Sequence, residues 1–476
     1  MITYIKINGF KSFHHFEMEF APFTVIAGAN ASGKSNLFDA LMLLASLAET
    51  DHLKKAFKKQ RGELLELFAQ YNKNEYATEM EFCVEMLVNP KVKDAWGNEA
   101  ILKYTRLRYE LKIKRFTNNS GLEDLAVIYE HLENLKHSDD KWIEKIDKKQ
   151  IEKFRPKIPT GGRRAIPYIQ TKIENGIDTV LVPQDGTTGN KRRFPLNNAT
   201  RTVLSSFDTV DFPHVLAAKK EMIDWKFLQL NPEDLRESSR QDADDLISPS
   251  GKNLAAALFR LKQNDNYNLV EISRKLQTFL PNFTEVNVID DKENRQFLIK
   301  LKDKEKKEYT SRVLSEGTLR ILALCILEFD DKYTGLLCFE EPENGIHPIK
   351  ISEMSVLLKG LSSNFSEDQM SLRQIIVNTH SPVLVGNILE RYLNDKNVKT
   401  YFSHMSSMIA TVSDQKISIN ATQIVELFEG HDPKTEIGNI SAQRDHELKR
   451  KYALSNIKKY LETSNFTDLT EKLKQN

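Results

Sequence analysis

Residues 2–7 (Ile-Thr-Tyr-Ile-Lys-Ile) and 16–20 (Phe-Glu-Met-Glu-Phe) alternate apolar and polar positions, the two-residue period of strands with one buried face. Asn8-Gly9 and Lys11-Ser12 punctuate the interval between them. Phe23–Ala27 is an unbroken short apolar run, as expected of a buried strand. From Lys34 to Leu47 the period lengthens: apolar residues at 37, 38, 41, 44 and 47 share one side of a helix. Alternation returns over 79–88 and 102–113 and predicts an antiparallel sheet. Residues 1–115 therefore read as one lobe.

Beyond 115 the texture changes. Leu122–Lys153 is charged, with helical spacing, and leads into a Gly/Pro-punctuated basic stretch holding Arg163-Arg164 and Lys191-Arg192-Arg193. No heptad persists over several turns, so a long coiled coil is excluded. The expectation for 116–225 is a mainly helical insertion, an arm or lid open to a dimer or partner contact. Core-like patterning resumes over 226–420, with a helix across Asn253–Leu261 and a hairpin across Glu285–Leu301 that turns at Asp290–Glu293. Lys302–Lys307 reads as a solvated charged turn. Residues 421–476 form a polar, lysine-rich tail, expected to be helical near 443–463. The fold class is α/β.

Composition adds limits more than identity. The 476 residues suffice for two or three domains, and 40% hydrophobic with 28% charged residues is ordinary for a globular protein. A net charge of +1 does not mark the whole chain as a nucleic-acid binder. Cys83, Cys325 and Cys338 lie in apolar runs without CxxC pairing, as buried thiols of a reduced compartment would. The best apolar run, Leu41–Ala48, falls far short of the roughly 20 residues that span a bilayer. With a strand starting by Thr3, no leader is expected either, and the expected location is cytoplasmic without membrane contact.

Four motifs carry chemistry. Gly28-Ala29-Asn30-Ala31-Ser32-Gly33-Lys34-Ser35 is a full GxxxxGKS match between an apolar strand and a helix. Such a loop turns backbone amides and a helix N-terminus toward phosphate. Lys34 adds a cation for the β- and γ-phosphates, and Ser35 a hydroxyl for magnesium. Leu336–Phe339 followed by Glu340-Glu341 is an apolar strand ending in two acids, with Glu340 as the metal-side carboxylate and Glu341 as the general base. Many such enzymes place Asp first; the longer Glu340 leaves the hydrolysis rate open. Leu314-Ser315-Glu316-Gly317-Thr318 opens an apolar helix. Ser315 there is an N-cap or, with Gly317, a γ-phosphate contact for a second subunit's nucleotide. Gln374–Thr379 is another apolar strand, ending at His380, which can hydrogen-bond a γ-phosphate and report its loss.

Other segments keep two readings. Gln60, in Gln60-Arg61-Gly62-Glu63, is a lobe-coupling glutamine of the nucleotide site or part of a plain charged helix end. Asn344–His347 is a candidate for a loop crossing a dimer seam. Asp242-Ala243-Asp244-Asp245 has metal-like DxD spacing but no partner Glu or His, which favours a solvated loop. The basic pairs near 163 and 191 are phosphate-backbone grips or a solvated face.

At the four motifs the chain resembles the SMC/RecF/OLD-like branch of ABC-class P-loop ATPases, the AAA type found in bacterial anti-phage defence. Gly28–Ser35, Leu314–Thr318, Phe339–Pro348 and Asn378–Pro382 carry the resemblance, supported by Ile5–Phe13, Leu230–Arg236 and Gly251–Leu254. It covers residues 1–115 and 226–405. It implies an ABC/SMC-type ATPase head with an antiparallel β subdomain, ATP and Mg2+ as cofactors, and a head-to-head homodimer or higher homo-oligomer sandwiching two ATP molecules. It also implies work on or near DNA. Members without a long coiled coil resemble defence components that act with a nuclease. No glycine-flanked Glu with a later DxD pair, and no HNH-like cluster, follows His380 here, so the nuclease effector is expected on a separate chain. A RecF-like DNA-repair or chromosome-maintenance ATPase is the alternative. The long interval between glycine loop and signature, with no membrane segment, excludes a transporter subunit.

Overall fold

The computed structural model describes residues 1–73, 75–136, 138–155, 166–184, 190–365, 371–412 and 415–427. Two large sheets organise it. The first has six strands in the order Lys226–Leu228, Gly335–Glu340, Arg373–Thr379, Phe23–Ala27, Val398–Val412 and Gln415–Glu426. Neighbours are parallel except the last pair, which forms an antiparallel hairpin. Parallel strands are buried on both faces, which explains why Phe23–Ala27, Gly335–Glu340 and Arg373–Thr379 read as apolar runs without alternation. Successive side chains point to opposite faces: Ile26, Leu336, Cys338 and Ile376 join one core, while Val25, Leu337, Phe339 and Val377 join the other.

The first core is shared with an eight-stranded sheet in the order Lys191–Pro195, Ile177–Pro183, Ile169–Glu174, Glu123–Asn134, Arg106–Thr117, Glu79–Leu87, Ile2–Asn8 and Phe16–Glu19. Every pairing in it is antiparallel. The helix Lys34–Glu49 packs between this sheet and the parallel one. The second core gathers the helices Leu254–Asn264, Tyr267–Phe279, Glu316–Phe329 and Ile351–Gly360, with the hairpin Phe283–Asp291 and Gln296–Asp303.

The α/β class and the antiparallel sheet agree with expectation. The mainly helical insertion does not: Glu123–Asn134, Ile169–Glu174, Ile177–Pro183 and Lys191–Pro195 are strands, and they extend the sheet of the first lobe. The described helices of 116–225 are Lys148–Phe154, Pro213–Ile223 and two short 3-10 turns. The limit expected at 420 falls inside the strand Gln415–Glu426. The predicted tail helix and Arg163-Arg164 lie outside the described residues. Cys83 is half-buried, Cys325 and Cys338 are buried, and all three are free thiols. No helix among the described residues is long and apolar enough to cross a membrane.

Candidate nucleotide site

Three neighbouring parallel strands deliver the site. Phe23–Ala27, Arg373–Thr379 and Gly335–Glu340 end at a common level, with Thr379 beside Ala27 and Asn378 beside Glu340. Ligands of open parallel sheets gather at such carboxyl ends. The glycine loop follows the first strand and passes into the helix Lys34–Glu49 through Gly33, whose φ of +88° is left-handed. No side chain caps this helix, which leaves its first-turn amides available to an anion. Lys34 folds onto its own loop, donating to the Gly28 and Ala29 carbonyls at 2.7 Å each and to Ser32 Oγ at 3.4 Å. Ala29, Asn30 and Ala31 form the exposed crest. Burial lowers the Lys34 pKa, against the opposing charges of Glu341, Glu340 and Glu343. A phosphate would compensate that buried cation.

The acids fall where the motifs put them. Glu340 ends its strand, and its Oε1 lies 3.4 Å from the Nδ2 of Asn378, which is also 3.4 Å from Ser35 Oγ. Ser35 and Glu340 thus flank one point at the mouth of the loop. Two such groups suit magnesium, which keeps waters and takes few protein ligands beside phosphate. Among the described residues, no cluster of three or more His, Cys, Asp or Glu suits a metal ion. Glu341 leaves the strand with φ at +49°, a left-handed backbone that is strained for a side chain of this size. Its carboxylate meets His380 Nδ1 at 2.9 Å and accepts from Asn344 Nδ2 at 2.7 Å. The base candidate and the switch histidine are therefore in direct contact, which their sequence positions did not reveal.

Ser315 caps the helix Glu316–Phe329, accepting from the Thr318 amide at 3.3 Å. Gly317 in the first turn lies so close to the Gly345 carbonyl that a β-carbon there would overlap it. The signature turn thereby rests on the loop that follows Glu341. Arg236 donates to the Leu314 carbonyl at 3.4 Å and Arg320 to the Leu230 carbonyl at 3.1 Å, so Leu230–Arg236 braces the signature helix.

Gln60 is buried rather than at an open helix end, and both its amide atoms lack a hydrogen-bond partner. Its neighbour Arg61 pairs with Asp39 of the Lys34–Glu49 helix at 2.9 Å. Asp242, Asp244 and Asp245 have other uses, pairing with Arg240, capping the Leu246 amide, and pairing with Arg260 and Lys332. Arg192 lies over the rings of Phe207 and Phe212, and Arg193 pairs with Glu174 at 3.2 Å.

Several residues of the site carried no assignment from sequence. Ser403 donates to the Ser32 carbonyl at 2.9 Å, and Thr422 contacts Ser12 at 2.6 Å while occupying the space a Gly33 side chain would need. The Glu343 carboxylate accepts from the Thr379 hydroxyl, and burial raises its pKa. Asn378 had a visible signal, a lone amide closing the apolar run Ile375-Ile376-Val377. The Ser403 and Thr422 contacts had none, since their partners lie hundreds of positions away.

A model of the family described as "AAA domain, putative AbiEii toxin, Type IV TA system" matches residues 23–386. No curated protein matches the sequence. Among solved structures, the chain is similar to an SMC head bound to the C-winged helix domain of ScpA, at 14% identity and TM-score 0.44, covering 88% of this chain and 98% of that one. It is similar to the SMC head domain from Thermotoga maritima at 11% identity and TM-score 0.37, covering 90% and 99%. A third is an Smc head domain with an extended coiled coil bound to the C-terminal domain of ScpA derived from Pyrococcus furiosus, at 13% identity and TM-score 0.40, covering 94% and 99%.

Proposed function

The chain belongs to the AAA-domain family described as "putative AbiEii toxin, Type IV TA system", and from that membership we propose that it binds and hydrolyses ATP with Mg2+, dimerises around the nucleotide, and regulates a separate effector, a nuclease, in anti-phage defence. The observation that carries the ATPase reading is the convergence of Lys34, Ser35, Glu340, Glu341 and His380 at the ends of three adjacent parallel strands. Bound magnesium ATP supplies the phosphoanhydride and the Lewis acid that neutralises it. Lys34 exchanges the carbonyls of Gly28 and Ala29 for phosphate oxygens. Ser35 and Glu340 hold the metal side. Glu341 takes a proton from the attacking water, and His380 holds Glu341 until a γ-phosphate offers it another acceptor. Gln60, with a buried and unsatisfied amide, is the reserve polar group for coupling the first lobe to nucleotide.

The effector role draws on the defence-type resemblance and on the toxin named in the family description. Among the described residues, the basic pair that the RecF-like alternative would use, Arg192 and Arg193, is exposed and has intramolecular partners.

Two variants test the core of the proposal. Lys34→Ala should abolish ATP binding in a fluorescent-nucleotide titration. Glu341→Gln should bind ATP like wild type, lose about 100-fold or more in turnover, and accumulate an ATP-bound dimer. Normal turnover by Glu341→Gln would overturn the assignment of the base. The effector claim is tested by copurification with the products of adjacent genes, and a lone dimer indifferent to all of them would sink it.

A further inference from the structure

We propose that Asn378 is a positioning residue of the metal side of this site: its amide nitrogen aligns Ser35 and Glu340, and its carbonyl oxygen accepts from a water in the divalent cation's shell. The proposal rests on the ATPase reading above.

Asn378 sits on the central strand of the three, paired in register with Glu340 on one side and Ile26 on the other. It is 3% exposed, and it follows the apolar run Ile375-Ile376-Val377 one residue before the strand ends. An amide is kept there at a desolvation cost that only polar partners repay. Its Nδ2 meets Ser35 Oγ and Glu340 Oε1 at 3.4 Å each. Both contacts are longer than well-formed N–H···O bonds, which centre near 2.9–3.0 Å, so one nitrogen straddles two acceptors without committing to either.

The orientation follows from charge. Turning the amide over would set its oxygen against the Glu340 carboxylate, two acceptors facing one another. With the nitrogen on that side, Oδ1 is the adjoining branch of the same amide, and it is buried with no partner. An orphaned buried acceptor beside two metal-type ligands calls for a donor. A metal-bound water is such a donor, made more acidic by the cation. The neutral side chain also has a reason. Glu340, Glu341 and Glu343 already crowd their charges around Lys34, and a fourth carboxylate would add repulsion where an amide adds alignment.

The test separates metal from nucleotide. Asn378→Leu preserves size and apolar packing, and Asn378→Ser keeps a hydroxyl too short to span Ser35 and Glu340; melting curves establish that each variant folds. Fluorescent ATP is titrated in EDTA, and Mn2+ affinity is measured by electron paramagnetic resonance with a non-hydrolysable ATP analogue. Both variants should bind nucleotide in EDTA within twofold of wild type, while Mn2+ affinity falls at least tenfold. The Mg2+ concentration for half-maximal turnover should rise in parallel. Unchanged Mn2+ affinity in whichever variant folds overturns the proposal, as does an equal loss of nucleotide binding in EDTA, which would mark Asn378 as a packing residue. A wild-type protein that binds neither nucleotide nor Mn2+ would instead bring down the ATPase reading, and this proposal with it.

Discussion

Glu130 shows how a single buried charge sets a pH dependence far from the nucleotide loop. It is fully buried on the strand Glu123–Asn134 and accepts from the Tyr109 hydroxyl at 3.0 Å and from the amides of Val203 and Leu204 at 2.6 and 2.7 Å. Burial pushes its pKa up to about 7, against the lowering effect of those three donors. A raised carboxyl pKa means that the folded chain holds the proton more tightly than the unfolded chain. Its stabilising effect is therefore complete below the unfolded pKa, declines as pH rises from the mid-4 range, and is gone above about 7. The shift corresponds to about 3 kcal/mol. Glu130→Gln, neutral throughout, is the reference. The stability of wild type relative to the variant, from urea unfolding, should fall by that order between pH 4.5 and 7.5. A difference that does not move with pH would show that Glu130 titrates normally. Nothing in the sequence marked Glu130, one acid within a segment read as a charged helix. Lys34, Ser35, Glu340 and His380 were legible because each stands in a contiguous motif whose neighbours explain it. Asn378 showed only as a lone amide closing an apolar run, and Thr422 not at all, because their meaning comes from partners that only the fold supplies.

The same contrast holds for whole elements. Three strands of the parallel sheet, Phe23–Ala27, Gly335–Glu340 and Arg373–Thr379, were legible as apolar runs, and the helix Lys34–Glu49 as a clean stripe. Glu123–Asn134 read as helix for a physical reason. A bulge between Val127 and Tyr129 leaves Ile128 unpaired and shifts the phase of the strand by one. Buried positions then fall at 125, 126, 127, 130 and 132, so Leu125 and Leu132 stand seven apart, as on a helix face. The polar Glu130 on the inner face hides the remaining alternation. The signature helix was legible in extent but not in its contact with Gly345, and that contact yields a prediction. Gly317 has ordinary helical backbone, so Gly317→Ala carries no conformational strain and gains about 1 kcal/mol of helix propensity. Its methyl would nevertheless overlap the Gly345 carbonyl and push apart the signature turn and the loop after Glu341. Monomer ATP binding should stay within twofold of wild type, while turnover falls at least tenfold. Full turnover by Gly317→Ala would mean that this close approach serves packing alone.

At the scale of the whole molecule, the two loops joined by that contact are flanked in sequence by two exposed apolar side chains. Val313, 69% exposed, immediately precedes the signature, and Ile349, 74% exposed, follows the Asn344–His347 loop. Exposed apolar surface marks association sites when it is contiguous, so the significance of this pair rests on its place beside the two joined loops. Ser315 meanwhile spends its hydroxyl on Thr318 and can turn to a phosphate only at the cost of a cap worth about 1 kcal/mol, which a phosphate presented by a second copy would offset. Under the proposed dimer, Val313 and Ile349 would be covered in the ATP-bound state and open in the resting state. Replacing either with glutamate should leave the monomer stable to within about 0.5 kcal/mol, because neither is packed in the core. It should also leave monomer ATP binding intact. Burying an unpaired carboxylate in the seam is costly, however, so in a Glu341→Gln background the ATP-dependent dimer should vanish from light-scattering profiles. The combined Val313→Glu, Ile349→Glu protein is the decisive case. If it still dimerises on ATP, the seam lies elsewhere, and the exposure of these two residues serves another contact.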